Sequence, residues 1–434
     1  MSETLENWIS RQYRFSARSI LEVVSASHIT QIRPGFGQSV TPVPGSVVAS
    51  PVLAAWDPDP DYFFHWFRDS AIVIDALRLL HEDGTLGPEA LSHFHDFVRF
   101  SLSLPRRTPV TDRAKTRPDF LQYLRPETEL ASVRPQDVAA ETRVNPDGTL
   151  DISRWSRPQH DGPALRLLTV LRWLSSDAPL TAACREDAAR LLLEDVDFLL
   201  RHLGEPAFDM WEEEQGQHYY TLRVEATALA KAASWLGSKD EAKAAACRRA
   251  ASGLNDELDS FWLEREGFYR SRLDGDPGKY LDMSVIFAVI HADDEGPLHT
   301  LRDVRMLATQ SKLEALFDRD YPINHGRSRE RAPAMGRYAG DIYFSGGAYY
   351  FSTLAAAEFY FRLASECTGE IARGYFAQGD AFLETVRAFT PESGELSEQF
   401  DRQTGRQTSA KKLAWSYAAF ITAIAARNSC DEVQ

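Results

Sequence analysis

Leu192, Val196, Leu199 and Leu203 stand at positions i, i+4, i+7 and i+11 of one stretch, and Leu222, Ala226, Leu229, Ala233 and Leu236 repeat the pattern a little further on. Apolar residues at that spacing line one face of an α-helix. The same period recurs in twelve segments, near 5–24, 70–81, 88–103, 163–175, 181–203, 220–237, 240–262, 283–291, 298–316, 346–366, 371–387 and 411–426. Alternating, strand-like runs are scarce, and Ser46–Ser50 and Gly267–Arg270 are the best of them. No Pro/Gly/Ser-rich linker, low-complexity tract or internal repeat divides the 434 residues, so they read as one domain, 1–434.

Twelve helices in one domain fit a solenoid, a bundle or a closed ring of six hairpins, and the connections help to choose. Those between the first and second, third and fourth, and each later odd–even pair of helices are mostly long. The alternate ones span only a few residues. In a chain of antiparallel hairpins alternate loops emerge at the same end, so the long ones are expected on one face, where loops on a rigid scaffold commonly carry function. An all-α, (α/α)6 barrel with its cleft at that face is the expected fold.

The long loops are rich in carboxylates, aromatics and arginines. One of them reads Phe208-Asp209-Met210-Trp211-Glu212-Glu213-Glu214. An acidic run on a loop is most often a solvated face, but an indole beside carboxylates is also a way to raise a carboxyl pKa into the range useful to a general acid. The loop before the second helix holds Asp61-Tyr62-Phe63-Phe64-His65-Trp66-Phe67-Arg68-Asp69-Ser70. Asp69 and Ser70 suit a helix cap. A guanidinium next to a carboxylate beside Trp66 also suits two vicinal hydroxyls, each of which donates and accepts. The fourth helix is preceded by Trp155-Ser156-Arg157-Pro158-Gln159-His160-Asp161-Gly162-Pro163, the tenth by Gly336-Arg337-Tyr338-Ala339-Gly340-Asp341, and the twelfth by Leu396-Ser397-Glu398-Gln399-Phe400-Asp401. Alone, Glu398 would pass for a surface glutamate. On the same expected face as Glu212, it completes the pair of carboxylates that glycoside hydrolysis requires.

Composition narrows the partners. A net charge of −15 argues against nucleic acid or an anionic membrane and is compatible with a neutral substrate. Nine Trp, 15 Tyr and 24 Phe exceed what a core alone demands, and aromatic faces are what sugar rings stack on. The four cysteines, Cys184, Cys247, Cys367 and Cys430, are far apart and signal neither a disulfide framework nor a zinc site. The N-terminal residues lack the basic start and apolar run of a signal peptide, and no apolar stretch is long enough for a membrane helix. The expected localisation is cytoplasmic. The oligomeric state is not legible.

Taken together, these motifs resemble those of the glucoamylase family of glycoside hydrolases, family 15. The matching pieces are Val47-Val48-Ala49-Ser50-Pro51, Trp66-Phe67-Arg68-Asp69-Ser70, Arg157 to Arg166, Trp211-Glu212-Glu213, Gly336-Arg337-Tyr338, Leu354-Ala355-Ala356-Ala357-Glu358, and Leu396 to Asp401 with Trp415-Ser416-Tyr417-Ala418-Ala419. They occur in the family's order and span roughly Leu5 to Ala426. The resemblance implies an (α/α)6 barrel and an inverting, exo-acting α-glucosidase that releases β-D-glucose from non-reducing ends of malto-oligosaccharides or soluble α-1,4-glucans. Glu212 matches the general acid and Glu398 the general base. Arg68 and Asp69 match the pair that grips the terminal glucose, with Tyr62 and Trp66 lining that subsite. Trp155 matches a tryptophan packed over the acid, Glu213 and Arg337 contacts to the next sugar, and Trp211 a further substrate contact. The mechanism implies no metal and no organic cofactor.

His65 departs from the family, standing where fungal members carry a small residue. So does Gly347-Ala348-Tyr349, which replaces a segment that usually ends in tryptophan and shapes the substrate subsites. An α-1,6-glucosidase or an α,α-trehalase on the same scaffold therefore stands as the alternative. A non-catalytic sugar-sensing domain is a more distant one, because both carboxylates are retained. No starch-binding segment follows Ala426, which favours soluble substrates.

Overall fold

The computed structural model describes residues 3–54, 59–104 and 113–431. Thirteen α-helices run through them: α1 (Leu5–Val23), α2 (Phe67–Glu82), α3 (Glu89–Ser103), α4 (Glu127–Ser132), α5 (Asp161–Ser175), α6 (Ala182–Arg201), α7 (Tyr219–Leu236), α8 (Glu241–Leu258), α9 (Ser284–Ala292), α10 (Val304–Asp320), α11 (Tyr350–Ser365), α12 (Gly369–Phe389) and α13 (Ala414–Asp431). All except the short α4 correspond to the helices expected from periodicity. None is long and apolar enough to cross a membrane among the described residues.

The boundaries differ where a local signal outweighs the period. Helix α6 starts after Thr181, whose side chain caps it by accepting from the Cys184 N–H at 3.2 Å. It buries Leu192, Val196 and Leu199 but ends at Arg201, so Leu203 falls beyond it and is 41% exposed. Helix α10 begins at Val304 rather than near 298, because Asp303 accepts from the Arg305 N–H and fixes the start there. Helix α8 stops at Leu258, and Trp262–Leu263 instead pairs antiparallel with Phe268–Tyr269, within the Gly267–Arg270 run expected to be extended. The other expected strand, Ser46–Ser50, is not one. Val48 donates to Val23, Ala49 to Phe64 and Ser50 to Tyr62, so the segment is shared among neighbours and forms no ladder.

The chain divides into two compact units, one of Met1–Ser19, Gly216–Thr227 and Ser252–Gln434, the other of Ile20–Gln215 and Ala228–Ala251. In the second unit α5 packs against α2 and α6, and α3 against α6. Trp173 of α5 stacks on Phe94 of α3 at 4.5 Å between ring centroids and donates its indole N–H to the Ile74 carbonyl at 3.0 Å. In the first unit α11 packs against α9, α12 and α13 and is buried on nearly every side, as a helix apolar all round must be. A three-stranded sheet lies beside it, in the order Gln407–Thr408, Gln399–Phe400, Ala348–Tyr349. That pairing takes Ala348 and Tyr349 out of the helix expected from 346 and delays α11 to Tyr350.

Candidate active site

Glu212 belongs to the second unit and Glu398 to the first, and each has its own surroundings. The loop carrying Glu212 is shaped by Asp209. Its carboxylate oxygen accepts from the N–H of Glu213 at 2.7 Å and of Glu214 at 3.3 Å, and its carbonyl accepts from the Glu212 N–H at 2.9 Å. Aspartate folds such turns because its short side chain reaches the backbone two or more residues on. Held in this way, Glu212 adopts a left-handed backbone, φ 65°, which costs a non-glycine residue about 1 kcal/mol or more. Its side chain is directed onto two indoles and a guanidinium.

Trp66 donates to Oε1 of Glu212 at 2.9 Å, Arg68 donates to the same oxygen at 2.9 Å, and Trp155 donates to Oε2. Ser156 donates its hydroxyl to the Glu212 carbonyl. Arg68 is 4% exposed and also donates to Asp161 at 3.1 Å, with Asp69 3.5 Å away. Tyr62, half-buried, lies 5.1 Å from the Trp66 ring, and the Trp66 and Trp155 centroids are 6.1 Å apart. Behind them the fully buried guanidinium of Arg143 sits 3.6 Å from the Trp155 centroid and 4.7 Å from that of Trp66, with Asp151 2.9 Å away as its counter-ion. Of the expected residues, Tyr62, Trp66, Arg68, Asp69 and Trp155 are thus gathered around Glu212. Trp211 is half-buried and Glu213 exposed on the loop itself. Glu214, the last of the acidic run, is half-buried.

Burial, offset by Arg68 and reinforced by the charges of Glu212 and Asp161, pushes the Asp69 carboxyl up to about 6. The same burial raises Asp161, which Arg68 opposes. His65, the departure noted in the sequence, is wholly buried against Phe67, Phe97 and Phe100, and its Nδ1 accepts from the Val47 N–H at 3.0 Å. Burial, helped by the charge of Arg166, holds it down at about 3, so it is a neutral core residue.

Glu398 stands immediately before the strand Gln399–Phe400 and is 9% exposed. Its N–H donates to the Ala410 carbonyl at 2.7 Å, and its own carbonyl accepts from the Tyr350 N–H at 3.2 Å, so the backbone is tied on both sides. The Ser409 hydroxyl donates to Oε2. Here Ser409 is the left-handed residue, φ 64°. The next side chain, Gln399, donates to the Tyr349 hydroxyl at 2.8 Å, and Tyr349 donates to Asp341 at 3.3 Å. Arg337 meets Asp341 in a buried two-bond pair at 2.7 and 2.5 Å. The expected sugar contact Arg337 is therefore engaged by a carboxylate four residues on. Burial drives the Tyr349 phenol well above its usual range, so it remains a hydroxyl.

Sequence reasoning did not single out Ser156, Asp161 or Ser409 as site residues. Asp161 lies in the matched stretch Arg157 to Arg166, and Ser156 stands immediately before it. Ser409 had no signal, because it comes to Glu398 only through the turn after the sheet.

A mostly helical chain with carboxylates set among indoles and arginines fits the class of a sugar-cleaving enzyme. The chain belongs to the glycosyl hydrolases family 15, whose model matches residues 30–96 and 123–425. It is 27% identical to a probable glucoamylase of Schizosaccharomyces pombe, over 89% of this chain and 85% of that one. It is 25% identical to glucoamylase 1 of Rhizopus oryzae, over 97% and 71%. The solved glucoamylase of Saccharomycopsis fibuligera superposes with a TM-score of 0.80 at 23% identity, over 99% of this chain and 97% of that one. That likeness shows the fold to be an (α/α)6 barrel. The chain is a glycoside hydrolase.

Proposed function

We propose that the protein is an exo-acting, inverting glucoamylase that hydrolyses α-1,4-linked glucose from the non-reducing ends of malto-oligosaccharides or soluble α-glucans and releases β-D-glucose, with residues 1–434 acting as one catalytic domain. The observation that carries this reading is the setting of Glu212, a carboxylate held by Trp66, Trp155 and Arg68 in a chain whose relatives are named glucoamylases. Glu212 is the acid. Oε1, with two donors, anchors the side chain, and Oε2, against Trp155, carries the proton to the glycosidic oxygen. Glu398 is the base and draws a proton from the water that attacks C1 from the opposite face. Its bond from Ser409 orients it for this. Inversion needs the two carboxyls about 6.5–9.5 Å apart in the working complex, against about 5–5.5 Å for retention.

Arg68 and Asp69 offer the terminal glucose a donor and an acceptor. Tyr62 and Trp66 supply its apolar wall, with Trp211, Glu213 and Arg337 serving the following sugar. The substrate is a neutral oligosaccharide. An intracellular setting is consistent with cysteines that form no disulfide among the described residues, a state that reducing compartments preserve. A relative named as the intracellular sporulation-specific glucoamylase of Saccharomyces cerevisiae, 25% identical over 96% of this chain, points the same way. The test is the first product anomer, followed by NMR, with maltose, isomaltose and trehalose compared side by side. β-Glucose fastest from maltose is expected. α-Glucose appearing first would sink the inverting assignment, and a preference for isomaltose or trehalose would replace the linkage.

A further inference from the structure

We propose that His160, His202 and Glu205 form a binding site for one divalent transition-metal ion of the Zn2+ class. A ring nitrogen of each histidine and a carboxylate oxygen of Glu205 lie within 4.8 Å of one another, and no other such group of three occurs among the described residues. His160 is 2% exposed and its buried Nε2 has no hydrogen-bond partner. A buried polar atom without a partner is costly, and a bound cation is one way to satisfy it.

The surroundings have the arrangement a metal-binding histidine needs. The Nδ1 of His202 sits 2.7 Å from Oε2 of Glu205, and its Nε2 sits 3.3 Å from Oδ1 of Asp137. With the metal on Nδ1, the proton between His202 and Glu205 is released and Nε2–H donates to Asp137. That is the carboxylate–histidine–metal order that fixes a ligand's tautomer and orientation. Tetrahedral Zn2+ with bonds of about 2.0–2.1 Å holds its ligand atoms about 3.3 Å apart. The adjustment, which includes widening the 2.7 Å His202–Glu205 pair, falls on Glu205, 56% exposed at its side chain, and on half-buried His202. Two imidazoles and one carboxylate favour Zn2+, Co2+ or Ni2+ over Mg2+ or Ca2+, which take all-oxygen shells.

The ligands come from two segments that both lead to the acid. His160 lies between Gln159, whose side chain donates to the Asp209 carbonyl at 2.8 Å, and Asp161, which accepts from Arg68. Glu205 lies four residues before Asp209, which shapes the Glu212 turn. A bound ion would staple these segments together. This role is structural and leaves the metal-free hydrolytic chemistry as it stands.

The experiment is titration of the full chain, stripped with chelator, with Zn2+ by calorimetry, and with Co2+ by visible absorption, in the wild type and in His202→Ala, Glu205→Gln and Asp137→Asn. Expected are one ion per chain, tetrahedral Co2+ bands, and a thermal midpoint that climbs with Zn2+ concentration. Binding should weaken by at least about tenfold in His202→Ala, and by about 10–100-fold in Asp137→Asn. The three substituted side chains are at or near the surface, so folding, checked by circular dichroism, should survive. No binding by the wild type, or binding undiminished in both His202→Ala and Glu205→Gln, would overturn the site.

Discussion

The surroundings of Glu212 and Glu398 differ in what holds the carboxylate in place. At Glu212 the backbone is a strained turn and the side chain is fixed by N–H groups from Trp66, Arg68 and Trp155. At Glu398 the backbone is anchored in sheet-like hydrogen bonds on both sides, and the strain moves to Ser409, the residue that donates to it. The difference matches the two chemical tasks proposed for them. A base must be aimed, and a rigid backbone with a hydroxyl partner does that. An acid must turn one oxygen from acceptor to donor, and side-chain donors can be exchanged when a sugar arrives.

The comparison can be broken at several points. Glu212→Gln and Glu398→Gln should each lower kcat by about 10²–10⁴ with the fold intact by circular dichroism, and near-normal turnover in either would remove that residue from its role. Arg68→Lys keeps the charge but loses the fork that spans Glu212 and Asp161. A loss of about a hundredfold in kcat/KM is expected, and a loss confined to KM would restrict Arg68 to binding. Trp155→Phe and Ser409→Ala each delete one donor while keeping most of the volume, and about a tenfold fall in kcat is expected from each. If only one responds, the carboxylates do not share the same dependence on a positioned donor.

The smallest effect concerns pH. Asp69 is raised to about 6 from 3.8, so between these values the folded chain holds a proton that the unfolded chain has released, and stability falls as pH rises through the window. His65 is lowered to about 3 from 6.5, so stability falls as pH drops through that range. Between about pH 4 and 6 the two slopes oppose each other, each at most about 1.4 kcal/mol per pH unit. Urea unfolding of Asp69→Asn should therefore gain stability with rising pH more steeply than the wild type. Parallel profiles would show that Asp69 is ionised throughout.

The helices were legible because amphipathic periodicity is local: Leu222, Ala226, Leu229, Ala233 and Leu236 are all buried as their spacing requires. What escaped is non-local. The pairing of Ala348–Tyr349 with Gln399–Phe400 joins segments fifty residues apart, and no period announces it. Trp66, Arg68, Trp155 and Glu212 were legible as motif residues and do meet. Ser409 was not, since a serine in a polar turn resembles any other. Leu203 misled because an apolar residue in phase with a helix still needs the helix to continue.

One guanidinium, that of Arg68, faces three carboxyls, Asp69, Asp161 and Glu212. The nearby Arg143 is already matched by Asp151. For the proposed sugar substrate this cluster would be an electrostatic filter as well as a grip. A sugar bearing a phosphate or carboxylate would meet like charge in a desolvated space, while a sugar mimic with a protonated ring nitrogen would be drawn in. Charge on the ligand, and not its shape alone, decides what stays.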